Sequence, residues 1–158
     1  MPALQVGEKA PDFELKDTQG NTVRLSDLLK EGKLVILAFY PAAFSPVCGD
    51  EMSLYQETQD EFERLGAQVV GISVDNWWSV AAFAKARGIT FPLLSDFHPK
   101  GAVAAKYGVL RDDGVAERAL FIIDPQGVIR YSYVSPILEN PGADRVIEAL
   151  EQVQKGRA

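Results

Sequence analysis

The sequence predicts an α/β fold, a mixed central sheet flanked by helices and opened by an N-terminal hairpin. Three observations predict it. Leu34 to Phe39 and Gln68 to Val74 are strand-length, mainly apolar runs of the kind buried on both faces of a sheet. Segments with helical spacing of apolar residues follow each of them. A third apolar run, Leu120 to Asp124, meets Val128 to Tyr133 across the turn Pro125-Gln126-Gly127, which makes an antiparallel hairpin. Strand, helix, strand, helix, hairpin and helix in that order give a mixed sheet with helical layers.

The elements follow in chain order. Asp12 to Leu15, a Gly20-Asn21 turn and Thr22 to Leu25 read as the first hairpin. Ser26 is placed to cap a short helix, Asp27 to Lys30. After the first core strand, Gly49 to Leu65 carries Met52, Tyr55, Phe62 and Leu65 at helical spacing, interrupted by polar Gln59 and ended by Gly66. Ser79 to Arg87 reads as a helix closed by Gly88, with Trp77 and Trp78 in the loop before it. Phe91 to Leu94 is short and extended, and Gly101 to Tyr107 is a short helix before Gly108. A last helix, about Ala143 to Val153, sets Val146, Ile147, Leu150 and Val153 on one face. With no repeat or linker, residues 1–158 are expected to form one domain.

Composition narrows the function. The chain is 47% hydrophobic and 24% charged, with a net charge of −6. Its basic residues are scattered, which disfavours nucleic acid and anionic membrane surfaces as partners. No stretch approaches the ~18 apolar residues of a membrane span. One cysteine, and no basic segment leading into an apolar run near Met1, point to the cytoplasm as the expected location.

That cysteine, Cys48, is the most informative residue. It stands in Phe39-Tyr40-Pro41-Ala42-Ala43-Phe44-Ser45-Pro46-Val47-Cys48, between an apolar strand and a helix. A lone cysteine forms no intrachain disulfide, so any chemistry must be solitary and reversed from outside. The alternative is a small buried hydrophobe.

Pro41-x-x-x-Ser45-x-x-Cys48 resembles the active-site signature of the peroxiredoxins. Ala10-Pro11-Asp12-Phe13, Gly71-Ile72-Ser73-Val74-Asp75, Phe91-Pro92-Leu93-Leu94-Ser95-Asp96, Tyr107-Gly108-Val109 and Arg118-Ala119-Leu120-Phe121-Ile122-Ile123-Asp124 extend the resemblance along nearly the whole chain. Phe44 to Cys48 with Glu51, and Ser95 to Gly101, look closest to the one-cysteine alkyl hydroperoxide reductase E type. Ser45 stands where threonine is more usual, and the second cysteine of most relatives is missing. The resemblance implies a thioredoxin-like fold, a peroxide substrate and a homodimer. It also implies an external reductant: a thioredoxin-, glutaredoxin- or mycoredoxin-type protein, or a low-molecular-weight thiol. No metal, haem or flavin is implied.

The residues suit that chemistry. The thiolate is the nucleophile, and a free thiol has a pKa of about 8.5. A helix N-terminus contributes at most ~2 kcal/mol, or roughly 1.5 pKa units, so a strongly acidic thiol needs a cation as well. Arg118, where the family carries its arginine, is the candidate; otherwise it is a strand-edge surface residue. Ser45 is read as a peroxide-binding hydroxyl, a helix N-cap, or both. Pro41 either shields the sulfur from water or only stiffens the loop. Glu51 either orients Arg118 or complements the helix end, and Asp50 is a favourable first-turn acid. Tyr40 and Phe44 are expected around the site. His98, the only histidine, has no motif tying it to Cys48. Trp77 and Trp78 suit a peripheral core, a dimer interface or a wall of the active-site mouth. The expectation is a thiol-dependent peroxidase working through a Cys48 sulfenic acid; a peroxide-responsive sensor or binding module on the same fold is the alternative.

Overall fold

A computed structural model describes residues 2–157. Strands β1 (Glu14–Lys16) and β2 (Thr22–Arg24) form the expected N-terminal hairpin, with Leu15 opposite Val23. They are followed by α1 (Leu25–Leu29), β3 (Leu34–Phe39), α2 (Pro46–Glu57), α3 (Gln59–Arg64) and β4 (Ala67–Ser73). Then come α4 (Trp77–Arg87), β5 (Leu93–Ser95), α5 (Ala102–Lys106), β6 (Arg118–Ile123), β7 (Ile129–Ser135) and α6 (Ala143–Arg157). The sheet has seven strands in the order β2-β1-β5-β4-β3-β6-β7. Strands β3, β4 and β5 run parallel, and β6 and β7 join antiparallel, so the sheet is mixed as the sequence implies.

Strand periodicity divides the core. Successive side chains point to opposite faces. On β3, Leu34, Ile36 and Ala38 pack with Cys48, Met52 and Tyr55 of α2, with Val80 and Phe83 of α4, and with Val146 and Leu150 of α6. Val35, Leu37 and Phe39 face the other way, against Leu25, Val103, Ala104 and Tyr107. All six residues of β3 and all six of β6 are buried. The same alternation places Leu120 and Ile122 on the α2 side, and so places Arg118, the first residue of β6, on the face where Cys48 lies. Gly71 on β4 lets α2 come close: a β-carbon there would collide with Leu93 and press on the Met52 sulfur.

Several boundaries differ from expectation, most informatively at the helix starts. Ser26 does not cap α1, because Arg24 holds the N-cap position and the helix begins at Leu25. Asp12 caps it from a distance: its Oδ1 accepts from Ser26 N and from Phe13 N, both at 2.9 Å. The segment read as one helix from Gly49 to Leu65 starts earlier, at Pro46, and is two helices. It breaks at Thr58, whose hydroxyl donates back to the Leu54 carbonyl at 2.7 Å. Trp77 and Trp78 open α4 instead of preceding it, because the Asn76 side chain accepts from Ser79 N at 2.9 Å and starts the helix there. Asp50 lies beyond the first turn of α2 and pairs with Arg87 at 3.3 Å. Gly88 closes α4 at φ 65°, as expected of a left-handed cap.

The Asp12 cap is testable. Burial works to raise its pKa, but the bonds from Ser26 and Phe13 and the nearby Arg24 hold it below the usual 3.8. Its contribution is therefore complete above pH 3.8 and disappears as acid protonates the folded carboxylate. Asp12→Ala should cost about 1 kcal/mol at neutral pH. In urea denaturation, the gap from the parent should narrow on acidification below that value; a gap independent of pH would remove the charge from the account.

Candidate active site

The site forms where β3 ends. Tyr40 and Pro41, both buried, lead out of the strand, and Phe44 turns the chain with φ 68°. That conformation is uncommon for a residue with a side chain and costs roughly 1–2 kcal/mol. The Phe44 ring sits edge-on to Phe83 of α4, with centroids 5.5 Å apart. Ser45 is the N-cap residue of α2, Pro46 takes the first helical position, and Cys48 falls in the first turn. The Cys48 side chain is fully buried.

Asp75, just past β4, fixes this loop. Its Oδ2 accepts from Ala43 N at 2.7 Å and from the Ser73 hydroxyl at 2.8 Å. On the outer side of α2, the Arg87 guanidinium lies over Gly49, where a β-carbon would collide with it.

Arg118 occupies the inner side, almost entirely buried. Its three nitrogens have three partners. Nη2 donates to Cys48 Sγ at 3.3 Å, Nη1 to Glu51 Oε1 at 2.8 Å, and Nε to the Ile137 carbonyl at 3.0 Å. The fixed fork of a guanidinium suits such divided duty. Glu51 is fully buried and also accepts from the Tyr55 hydroxyl at 2.8 Å. Burial pushes the Glu51 carboxyl up, against the pull of its bonds to Arg118 and Tyr55. Burial also works against the Arg118 charge, but Glu51 and the Cys48 sulfur hold its pKa above the ordinary value. Arg118 is therefore a permanent cation beside the sulfur, and such a cation favours the anionic form of a thiol.

Two hydroxyls at the site have no hydrogen-bond partner among the described residues: Tyr40 Oη and Ser45 Oγ. Burial pushes the Tyr40 phenol far up, so it keeps its proton. Ser73 lies near enough to Tyr40 to oppose that shift, but its hydroxyl is engaged with Asp75. Ser45 holds the N-cap position without making a side-chain cap bond, so the capping reading of its hydroxyl does not hold.

The structure thus joins Cys48 and Glu51 through Arg118, which contacts both, and sets Tyr40, Pro41, Phe44 and Ser45 in the loop leading to them. His98 is exposed beyond the end of β5 and makes no hydrogen bond to Cys48. Trp77 and Trp78 stack with centroids 4.1 Å apart, and Trp77 packs near Gly20 of the N-terminal hairpin. Sequence reasoning missed Tyr55, which it counted as an apolar helix position. The usable signal was its place four residues after Glu51, on the same helical face. It also missed Asp75 and the Ile137 carbonyl, which are joined to the site only by folding.

A lone cysteine in the first turn of a helix, beside a buried arginine on a thioredoxin-like sheet, defines a thiol-based redox centre. The AhpC/TSA family profile matches residues 6–132. A chloroplastic 2-cysteine peroxiredoxin of Chattonella marina var. antiqua is 38% identical over 162 residues, covering 96% of this chain and 82% of that protein. Alkyl hydroperoxide reductase E of Mycobacterium tuberculosis is 39% identical over 130 residues, 82% of this chain and 84% of its own. The crystal structure of peroxidoxin BcpB from Mycobacterium tuberculosis superposes with a TM-score of 0.86 at 34% identity, over 95% of this chain and 98% of that one. The reduced 2-Cys peroxiredoxin of Plasmodium vivax gives 0.88 at 28% identity, over 98% and 84%. The chain belongs to the AhpC/TSA family. It is a thiol-dependent peroxidase of the peroxiredoxin kind, and its single cysteine is consistent with a one-cysteine mechanism.

Arg118→Ala would strand a buried carboxylate without its cation, at an expected cost of about 3–5 kcal/mol in urea denaturation. Adding Glu51→Gln should recover part of that loss, because a neutral amide needs no counter-charge. A double variant no more stable than the single one would place the cost elsewhere.

Proposed function

We propose that Cys48 reduces H₂O₂ and organic hydroperoxides in a one-cysteine cycle recycled by an external thiol. The Cys48 thiolate attacks one peroxide oxygen. The O–O bond breaks, the sulfur is oxidised to sulfenic acid, and the other oxygen leaves, taking a proton, as water or alcohol. An external thiol condenses with the sulfenic acid, releasing water and forming a mixed disulfide. A second thiol displaces Cys48 as thiolate and carries away the disulfide.

The observation that carries this reading is the contact of Cys48 Sγ with Arg118 at 3.3 Å, next to a Ser45 hydroxyl without a partner. Arg118 stabilises the attacking anion. The Ser45 and Tyr40 hydroxyls are free to bind peroxide and to meet the charge that develops on the leaving oxygen. Pro41, buried at the start of the loop, keeps water from the sulfur, and Glu51 and Phe44 hold the frame around it. The reductant we propose is a thioredoxin-, glutaredoxin- or mycoredoxin-type protein or a low-molecular-weight thiol, acting in the cytoplasm. We place the homodimer contact on the aromatics Phe44, Trp78 and Phe97, which are exposed just beyond β3, β4 and β5.

Stopped-flow fluorescence of the reduced protein mixed with H₂O₂, followed by intact mass, tests the first step. A fast phase with a gain of one oxygen is expected, and Cys48→Ser should show neither. Equal peroxide turnover in that variant would sink the cycle. A sensor without turnover would show the same oxygen gain but no multiple turnovers with any of the thiols named.

A further inference from the structure

We infer that Ser135 is a positioning residue for Arg118, acting through the turn that presents the Ile137 carbonyl. The inference rests on reading Cys48 as a thiol activated by Arg118. Two of the arginine's three partners, Cys48 and Glu51, belong to α2. The third, the Ile137 carbonyl, comes from the segment after β7 and holds the fork from another element. That carbonyl sits in the reverse turn Pro136 to Glu139, which is closed by Glu139 N donating to the Pro136 carbonyl at 3.0 Å.

Ser135 seats this turn. It is buried, and on β7 it is the register partner of Arg118 on β6. Register partners on adjacent strands send their side chains to the same face, so the Ser135 hydroxyl lies on the Arg118 side of the sheet. The hydroxyl is 3.1 Å from the Pro136 carbonyl and 3.1 Å from the Glu139 carbonyl, sharing its one proton between them. Among the described residues, Ser135 and Arg118 itself are the two side chains that bond to the carbonyls of this turn. Without that donor the turn loses its fixed seat, the Ile137 carbonyl loses its register with Nε, and the charge beside Cys48 is less sharply placed.

The test is the pH dependence of Cys48 alkylation by iodoacetamide, compared in parent, Ser135→Ala, Arg118→Ala and the double variant. Ser135→Ala should move the midpoint upward by about half a pH unit and slow alkylation about threefold below it. In the Arg118→Ala background the same change should add nothing. Ser135→Thr keeps the donor and should keep the parent midpoint. Ser132→Ala, on the same strand as Ser135, is the stability control, because its hydroxyl serves the Leu4 carbonyl of the N-terminal segment; its unfolding midpoint should fall while the alkylation curve stays put. An unmoved curve in Ser135→Ala, a shift that survives Arg118→Ala, or an equal shift in Ser135→Thr would each overturn the inference. Alkylation needs no peroxide, so a failure of the peroxidase cycle would leave this test standing.

Discussion

Arg118 and Glu51 form an ion pair from which water is excluded, and much of the site follows from that. Two charges removed from solvent are stable only when their geometry is good and their remaining hydrogen-bonding groups are satisfied. Here the carboxylate has Arg118 and Tyr55, and the guanidinium has Glu51, Cys48 and Ile137. Satisfying them brings together α2, β6 and the segment after β7. The helix that starts at Pro46 cannot slide along the sheet without breaking this set, so the position of the sulfur is tied to the ion pair.

A second set of contacts works from the other side. Asp75 holds Ala43 N from the end of β4, and the left-handed turn at Phe44 redirects the chain into α2. Residues 41 to 45 are thus held at both ends by parallel strands and their helices. The contrast with the Tyr40 and Ser45 hydroxyls is informative. Among the described residues these two are the buried side-chain polar atoms left without a partner, and they are the groups the proposed cycle assigns to the peroxide.

The layout of the sheet was legible because β3 and β6 are buried on both faces and read as unbroken apolar runs. Arg118 was a candidate through the family resemblance, which puts an arginine immediately before one of those runs; by itself the position reads equally as a strand-edge surface residue, and only strand parity assigns it to the α2 face. Helix starts were harder. The cap of α1 comes from Asp12, fourteen residues earlier by its bond to Ser26, and no local pattern shows it. The start of α4 at Trp77 was obscured by two bulky aromatics that suggest a loop, although Asn76 and Ser79 carried the capping spacing. Tyr55 illustrates a different limit: its ring satisfies the apolar period, so its hydroxyl went uncounted until Glu51 was found beside it. The Asp75–Ala43 and Arg118–Ile137 contacts join residues distant in sequence, and only the folded register creates them.

The complete burial of Cys48 sets unequal entry conditions for its two reaction partners. A molecule with two bonded oxygens needs little room to reach the sulfur. A thiol carried on another protein is not, because it must bring its own backbone up to the sulfur. A protein reductant of the kind proposed would need the first turn of α2 to move aside, which the oxidant and a small thiol would need less. With such a reductant the oxidised sulfur would stay sequestered until that movement, and the lifetime of the closed form would set how long the protein stays marked by its last encounter.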